Sequence, residues 1–484
     1  MKRSNLLNGI VYLYIILPVM IFLLGWTKWF IGIPGAVILG ICWYRMTTDF
    51  AVVELPAWNK KQTEKLIFVI GIILLWVYLS GIGKFVFQNT DHDCRNPIFD
   101  ILVNYSWPVT KTMPEALGGD IKGLIYYIGF WLPAAVIGKI FGLTAGYCFQ
   151  AIWAALGIVI CYLVISSILK DVKIWPLLVL IFFSGLDIVG YRLLNGAAAA
   201  VDSIAHLEWW SDFQFSSFTT QLFWVFNQAL PAWVVTLVLY VQKKNRYIVL
   251  LMGCVLLSST LPFVGMIPLA IYFIFFRKYD AKNKSERWKL WFRDTFSFEN
   301  VLGGGIAGIV SFLYLKGNEA SQNIVSSAQN LDKKGYLFMF VVFMILEVGI
   351  YYIAIYDFKK KDPLYYITLA WLGMCPLLRV GFGGDFCMRA SIPALLILCL
   401  LVMQSLQESF RSKKYGAFCG MMLLLLIGSV TPIHEINRTV YMTAKAYREQ
   451  QPVFCQSQTE EQIFDSFNFS GKIEESFFYQ YLGR

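Results

Sequence analysis

Long apolar runs recur from one end of the chain to the other, separated by short polar segments. A helix needs about 20 apolar residues to cross about 30 Å of hydrocarbon, and most of the runs approach that length. They predict thirteen membrane helices, near residues 9–27, 30–45, 66–83, 145–169, 174–193, 222–241, 247–260, 262–276, 300–316, 337–357, 364–380, 389–407 and 416–432. The expected fold is an all-α polytopic membrane protein.

Composition agrees with this fold. Hydrophobic residues make up 57% of the 484 residues and charged residues only 15%, which leaves no stretch for a separate soluble enzyme domain. The net charge of +10 is concentrated in short loops, where it acts as a topological signal. We therefore expect membrane lipids as surroundings and no nucleic-acid partner.

Basic loops predict the orientation. Clusters near 60–61, 170–173, 243–246, 277–293, 359–361 and 411–414 are all cytoplasmic only if residues 123–142 do not cross the membrane. That stretch contains Pro133, Lys139 and several aromatic residues, so we predict that it lies in the interface or re-enters. The alternative, a full membrane helix, would invert everything upstream of it.

With this orientation, the loops at 84–122, 194–221, 317–336 and 381–388 face the extracytoplasmic side. The predicted domains are a transmembrane domain, 1–432, and a small extracytoplasmic tail or subdomain, 433–484. The transmembrane domain includes an external loop with amphipathic helices at 84–142 and a second external loop at 194–221. The expected location is a bacterial-type cytoplasmic membrane, with several crossings.

A carboxylate-rich segment follows the apolar helix at 66–83 directly. It contains Asp91, His92 and Asp93, which fall where the polypeptide leaves the bilayer. Ionisable groups at such positions usually have a function. The alternative is that both acids are merely solvated loop residues.

Several segments together resemble the GT-C superfamily of integral membrane glycosyltransferases. They are Asp91-His-Asp93-Cys-Arg-Asn96, Ser106-Trp-Pro-Val109, Tyr126-Tyr-Ile-Gly-Phe-Trp-Leu-Pro133, His206-Leu-Glu208-Trp209-Trp210, Thr219-Thr-Gln221, and Gly384-Asp385-Phe-Cys-Met-Arg389. The resemblance implies a polyprenyl-phosphate-linked sugar donor, an acceptor on the extracytoplasmic face that is a glycan, a lipid or a protein, and acidic groups in the first external loop. It implies a role in glycan biosynthesis at the cell envelope. Only Asp91 and Asp93 match the acidic pair of the family, and His92 intervenes between them.

The chemistry of sugar transfer needs a base near the acceptor and a cation near the phosphate leaving group. Asp91 or Asp93 is the predicted catalytic base, with His92 as a second candidate. Both carboxylates are also candidate ligands of a divalent cation, Mg²⁺ or Mn²⁺. Candidate substrate or phosphate-binding residues are, besides His92, Arg389, Arg379, Asp385, Glu208, Trp209, Trp210 and Gln221.

Some of these residues have structural alternatives. Asp385 and Arg389 have the spacing of a salt bridge within one helix, and the Trp pair is typical of an interfacial belt. Two other functions remain open: a polysaccharide polymerase or ligase with lipid-pyrophosphate donors, and a transporter or flippase for a lipid-linked sugar. Asp187 and Glu347, inside apolar runs, would be the acids of such a carrier, although a hydrogen bond between helices explains Asp187 equally well.

Overall fold

The computed structural model of the chain is nearly all-α. It describes residues 3–49, 51–54, 60–198, 201–202, 204–322, 326–328, 335–380, 384–453 and 457–484. The helices are α1 Arg3–Trp26, α2 Trp29–Asp49, α3 Lys60–Leu79, α4 His92–Asn104, α5 Leu132–Phe141, α6 Leu143–Leu169, α7 Trp175–Phe182, α8 Asp187–Asn195, α9 Phe218–Val241, α10 Ile248–Leu256, α11 Thr260–Phe276, α12 Lys284–Thr295, α13 Gly305–Lys316, α14 Glu319–Gln322, α15 Tyr336–Met344, α16 Ile350–Lys359, α17 Pro363–Met374, α18 Asp385–Ala390, α19 Ile392–Arg411, α20 Tyr415–Gly428, α21 Val430–Glu449 and α22 Glu460–Asp465.

The described residues include nine helical segments long and apolar enough to cross a membrane: Asn5–Trp26, Trp29–Asp49, Gln62–Leu79, Leu143–Leu169, Trp175–Asn195, Phe218–Val241, Tyr336–Lys359, Ile392–Arg411 and Tyr415–Glu449. A tenth span results if α12 and the helical stretch Glu299–Lys316, bent by 41° at their junction, count as one. Each segment coincides with a predicted window. The other three windows, 247–260, 262–276 and 364–380, coincide with helical stretches of 10–17 residues, so thirteen crossings remain a prediction.

Two helices form the centre of the bundle. The most apolar window of α9 is 89% buried and that of α19 is 83% buried, whereas the window in α3 is only 22% buried. Helix α9 begins cleanly because the side chain of Ser217 accepts a hydrogen bond from the backbone N–H of Thr220. Its backbone is bent at Val225 (φ −131°). The residues on either side of the bend contact charged groups: Trp224 donates to Glu435, and Phe226 lies under the guanidinium of Arg95.

The predicted non-spanning stretch 123–142 contains a strand and the short helix α5. Strands β1 Thr110–Thr112, β2 Ile121–Leu124 and β5 Ser470–Lys472 form an antiparallel sheet in the order β1-β2-β5. Strands β3 Ser326–Ala328 and β4 Leu378–Val380, between them in the chain, form a second pair. With 10 residues, α5 is about 15 Å long, too short to cross a bilayer.

The predicted domain boundary at 432/433 falls inside α21. Pro432 is the third residue of that helix, and proline is tolerated in a first turn because the N–H groups there have no helical acceptor. The described residues at the end of the chain pack on the rest of the protein. They add β5 to the sheet, bury Phe478 and Tyr479, and bridge Gly483 to Thr27 at the end of α1.

Candidate functional site

A tight turn leads from α3 to the carboxylate-rich segment. Gly81 has φ +82°, and a Cβ there would lie 2.9 Å from the carbonyl oxygen of Phe87, so the turn requires glycine. The side chain of Asn89 then donates to the carbonyl oxygen of Phe223 in α9 (2.7 Å) and accepts from the backbone N–H of Asp91 (3.0 Å). These contacts fix Asp91 against the first turns of α9, just before α4.

Asp91 pairs with Arg95 and lies within the electrostatic influence of Arg389. Its Oδ2 is 2.6 Å from Nη2 of Arg95, one turn along α4, and the charge of Arg389 in α18 also acts on it. Burial alone would raise the pKa of Asp91, but the charges of Arg95 and Arg389 outweigh this effect and lower it. Asp91 is therefore a carboxylate at neutral pH, and its side chain remains 32% exposed.

Both arginines are buried and have unused donors. The side chain of Arg95 is 3% exposed and that of Arg389 is 12% exposed. Arg389 donates to the hydroxyl of Tyr127 (3.1 Å) and lies 3.3 Å from Oδ1 of Asp385. Among the described residues, Nε and Nη1 of Arg95 and Nε of Arg389 are buried without a hydrogen-bond partner. Buried charged donors without acceptors are costly, and they characterise sites that bind anions.

The neighbouring groups contribute few charges. Burial raises the pKa of Tyr127, so its phenol is neutral, and its ring packs on Tyr126 with centroids 3.6 Å apart. The guanidinium of Arg95 lies over the ring of Phe226 at 5.8 Å. We name Asp91, Arg95, Arg389 and Tyr127 the arginine site.

His92 and Asp93 point away from this site. His92 is 1% exposed, lies 3.1 Å from the amide of Gln88, and stacks on Phe226. Burial, reinforced by Arg95, lowers its pKa to about 3, so it is neutral. Asp93 is two residues beyond Asp91, which turns its side chain by about 200° on a helix. Its carbonyl oxygen accepts from the backbone N–H of Gln458 near the C-terminus.

A second polar cluster lies on the other side of α9. Nδ1 of His206 is 2.8 Å from Oε1 of Glu435, and its Nε2 is 3.9 Å from Oε2 of Glu208. Glu435 also binds Arg438 (3.2 Å) and accepts from the indole of Trp224 (3.1 Å), on which His206 stacks. We name these five residues the histidine cluster. It joins the loop before α9 to α21. The sequence predicts a tail at 433–484 and gives no sign of this contact.

Two further acids, Asp187 and Glu347, lie inside apolar helical segments. Oδ2 of Asp187 accepts from Ser184 (2.8 Å) and Thr431 (2.9 Å), the latter in α21, so the hydrogen bond between helices is present. Oε1 of Glu347 accepts from the indole of Trp210 (3.1 Å). A Cβ on Gly185 would lie 1.9 Å from Oε2 of Glu347, so only glycine permits this approach.

Loop 211–217 and α18 connect the two groups. The side chain of Gln214 donates to Oε2 of Glu208 (2.9 Å). The backbone carbonyl oxygen of Gln214 accepts from the thiol of Cys387, two residues before Arg389. The structure therefore brings together parts of three loops predicted to share one face, 84–122, 194–221 and 381–388. Residues 381–383 of the last loop lie outside the described residues.

The other candidate residues are more scattered. Gln221 is fully buried and uses both ends of its amide, with Trp233 and the carbonyl oxygen of Ser216, so it serves packing. Arg379 is exposed on β4, next to Tyr336 rather than at the arginine site. Trp209 is 62% exposed and packs edge-on against His206, while Trp210 is buried on Glu347. Asp385 has the predicted salt bridge and is 47% exposed.

Sequence reasoning missed Arg95, Tyr127, Glu435 and Arg438 as site residues. Arg95 had a usable signal, because Asp91 and Arg95 are four residues apart in a helix and can pair. Glu435 and Arg438 had a weaker one of the same kind, three residues apart. Both residues lie beyond the predicted window 416–432, in a segment that the sequence predicts to be a tail and that is helical here.

The surroundings of Asp91 do not favour a divalent cation. Its carboxylate faces two guanidinium groups, whose positive charges oppose a bound Mg²⁺ or Mn²⁺. Within the described ranges, no group of three or more His, Cys, Asp and Glu side chains is arranged to hold a metal ion.

Basic residues gather at the opposite end of α9. Lys244 pairs with Asp49 (3.2 Å), and both Arg45 and Arg246 pair with the buried Glu299 (2.9 and 3.2 Å). From Phe226, over which the guanidinium of Arg95 lies, to its end at Val241, α9 extends by about 22 Å. The arginine site and these basic pairs are therefore separated along the length of α9.

The histidine cluster predicts a pH dependence of stability. Burial would lower the pKa of His206, but Glu435 and Glu208 raise it above its usual value, and burial raises the pKa of Glu208 to about 7. Both shifts mean that the folded protein binds protons more tightly than the unfolded chain, so stability is highest at low pH and is lost as pH rises through these values. Between pH 5 and 8, we expect the melting temperature of the wild type to fall by roughly 2–4 °C more than that of Glu208→Gln.

Thermal unfolding in detergent across this pH range measures the effect. Glu115→Gln, at an exposed position in the 113–120 loop, is the matched control and should follow the wild type. Identical slopes for the wild type and Glu208→Gln would contradict the assignment.

Comparison with known proteins finds no matching family model, no matching curated protein and no matching solved structure.

Proposed function

We propose that the chain is a membrane glycosyltransferase that moves a sugar from a polyprenyl-phosphate-linked donor to an acceptor on the extracytoplasmic face. The observation that carries this proposal is the arginine site: two buried guanidinium groups with unused donors beside a partly exposed carboxylate. Arginine binds phosphate through paired hydrogen bonds, which suits a lipid phosphate held at the end of a helical bundle.

In the proposed reaction, Asp91 takes the proton of the acceptor hydroxyl while the acceptor oxygen attacks C1 of the donor sugar. The bond between C1 and the phosphate oxygen breaks, and the lipid phosphate leaves with the bonding electrons. Arg95 and Arg389 stabilise the charge that develops on this phosphate. Donor binding also prepares the base, because a phosphate that engages both arginines offsets the positive charge that lowers the pKa of Asp91.

The proposal is tested with purified full-length protein and a panel of polyprenyl-phosphate sugars. We expect release of lipid phosphate that depends on an added acceptor and is lost in Arg389→Ala. A parallel panel of polyprenyl-pyrophosphate donors distinguishes the polymerase or ligase alternative. Turnover with pyrophosphate donors alone would replace the proposed donor class, and no turnover with either panel would contradict a transferase.

A carrier for a lipid-linked sugar is the second candidate. It is favoured by the buried acids Asp187 and Glu347, which lie inside apolar helical segments. Vesicles containing the protein and a fluorescent lipid-linked sugar on one leaflet distinguish the two. Movement between leaflets without sugar transfer would support the carrier.

The proposed orientation gives a further prediction. A cysteine at Glu115, in the predicted external loop 84–122, is expected to react with an impermeant thiol reagent from outside the cell, whereas a cysteine at Lys282, in a predicted cytoplasmic loop, reacts only after the membrane is opened. The exposed Cys148 and Cys419 are first replaced by serine. The opposite pattern would place the arginine site in the cytoplasm and exclude an extracytoplasmic acceptor.

A further inference from the structure

A cavity of about 170 Å³ lies at the basic end of the bundle, between the end of α11 and the amphipathic helix α12. It is lined by three cationic and three aromatic residues, Phe275, Arg277, Lys284, Arg287, Trp288 and Trp291. Among the described residues, no carboxylate lines it. The cavity and the arginine site are separated along α9.

Two acids in the same segment are engaged elsewhere. Oε2 of Glu286 accepts from the backbone N–H of Lys282 (2.7 Å), and Asp294 pairs with Arg293 (3.1 Å). Within the described part of the chain, Lys284 and Arg287 have no ion pair, and both are exposed. Their charges therefore remain free to act on a ligand.

Arg277 forms the inner wall of the cavity. Its guanidinium donates to the carbonyl oxygens of Leu239 (3.1 Å) and Lys244 (3.0 Å) at the end of α9, which fixes its position. Burial lowers the pKa of Arg277 to about 10, so it is still a cation at neutral pH. The indole of Trp291 is held in the same way, by the carbonyl oxygen of Ile274 (2.7 Å).

The rim of the cavity is apolar. Large exposed aromatic side chains surround it: Phe275, 58% exposed, Phe276, 66%, Trp288, 50%, and Phe292, 53%. Exposed Trp and Phe beside basic residues, next to apolar helices, are typical of the membrane interface. A free phosphate ion would gain nothing from this apolar rim, whereas a lipid brings acyl chains to it.

We propose that this cavity binds the phosphodiester headgroup of an anionic membrane lipid, with Lys284 and Arg287 contacting the phosphate from α12, Arg277 behind it, and the acyl chains lying along the aromatic rim. The site is independent of sugar transfer. It anchors α12 to the membrane surface at the point where the chain bends by 41° into α13.

The test is lipid binding by full-length protein in neutral detergent, followed by native mass spectrometry. Phosphatidylglycerol, phosphatidylcholine and inorganic phosphate are titrated separately. We expect the wild type to prefer phosphatidylglycerol, and the double variant Lys284→Gln/Arg287→Gln to lose about tenfold in affinity for it. Both positions are exposed and glutamine is a good helix former, so the variant is expected to fold.

The matched control is Lys282→Gln/Lys289→Gln, which removes the same charge from two exposed positions in or next to α12 that do not line the cavity. It should lose less than about threefold. Equal losses in the two double variants would overturn the proposal in favour of general charge attraction. Equal binding of both lipids would overturn it as well, and inorganic phosphate that binds as tightly as the lipid, with the same dependence on Lys284 and Arg287, would assign the cavity to free phosphate.

Discussion

Replacing Arg389 by alanine is expected to weaken binding of a polyprenyl-phosphate sugar about a hundredfold. Arg389 is nearly buried, and its Nε has no acceptor among the described residues, so its guanidinium has a donor available for a phosphate oxygen. Arg389→Lys keeps the charge but loses the planar pair of donors. If the contact is bidentate, lysine is nearly as damaging as alanine, whereas a purely electrostatic contact leaves lysine close to the wild type.

Two controls separate donor binding from structure. Asp385→Asn breaks the salt bridge to Arg389 at a half-exposed position, and we expect it to change donor affinity less than about threefold. Arg448→Ala removes one positive charge from an exposed position on α21 and should have no effect. Donor affinity is measured by displacement of a fluorescent polyprenyl-phosphate sugar. If Asp385→Asn reproduced the loss in Arg389→Ala, Arg389 would be only a salt-bridge partner.

The approach of Asp91 to Arg389 could be predicted from sequence, because it follows from orientation alone. Basic loops placed both residues on one side of the membrane, and a helical bundle of limited width then brings such loops close together. The role of Arg95 could not be predicted with the same ease. Its guanidinium is buried under Phe226, and which face of α4 meets α9 depends on packing that no local pattern encodes.

Hydropathy predicts where the membrane helices lie. It is less informative about where a helix is interrupted. The window at 174–193 is two helices, α7 and α8, separated at Ser184 and Gly185, where Glu347 approaches the backbone. Mean hydropathy over the window predicts one helix, whereas the break coincides with the approach of Glu347, a residue far away in the chain, to Gly185. Hydropathy also ends the last window at 432, because the residues after it are polar, whereas α21 continues to Glu449.

The histidine cluster shows the same limit. Glu208 is a candidate because it adjoins two tryptophans, and its partners His206 and Gln214 are close to it in sequence. His206 also pairs with Glu435, which comes from α21, more than two hundred residues away. Long-range pairs of this kind need the fold. The three-residue spacing of Glu435 and Arg438 permits a pair within α21. It does not show that a histidine lies between Glu435 and Glu208.

Asp91→Asn is expected to remove most sugar transfer, by about a hundredfold to ten-thousandfold, while Asp93→Asn retains it. The two substitutions are chemically identical and two residues apart, which makes each a control for the other. Asp91 belongs to the arginine site, where its carboxylate is partly exposed and pairs with Arg95, one of the groups proposed to hold the phosphate. Asp93 is turned to another face of α4.

The kinetic constants distinguish a base from a residue that only positions Arg95. Loss of a base lowers kcat with little change in donor affinity, whereas loss of the Asp91–Arg95 pair raises KM for the donor. Asp91→Glu restores a carboxylate one methylene further out, so partial recovery of kcat is expected from it and not from the amide. If both Asn variants retain near-normal transfer, Asp91 is not the base. If transfer is absent in the wild type as well while lipid-linked sugar still moves between leaflets, the carrier, with Asp187 as its buried acid, becomes the better account.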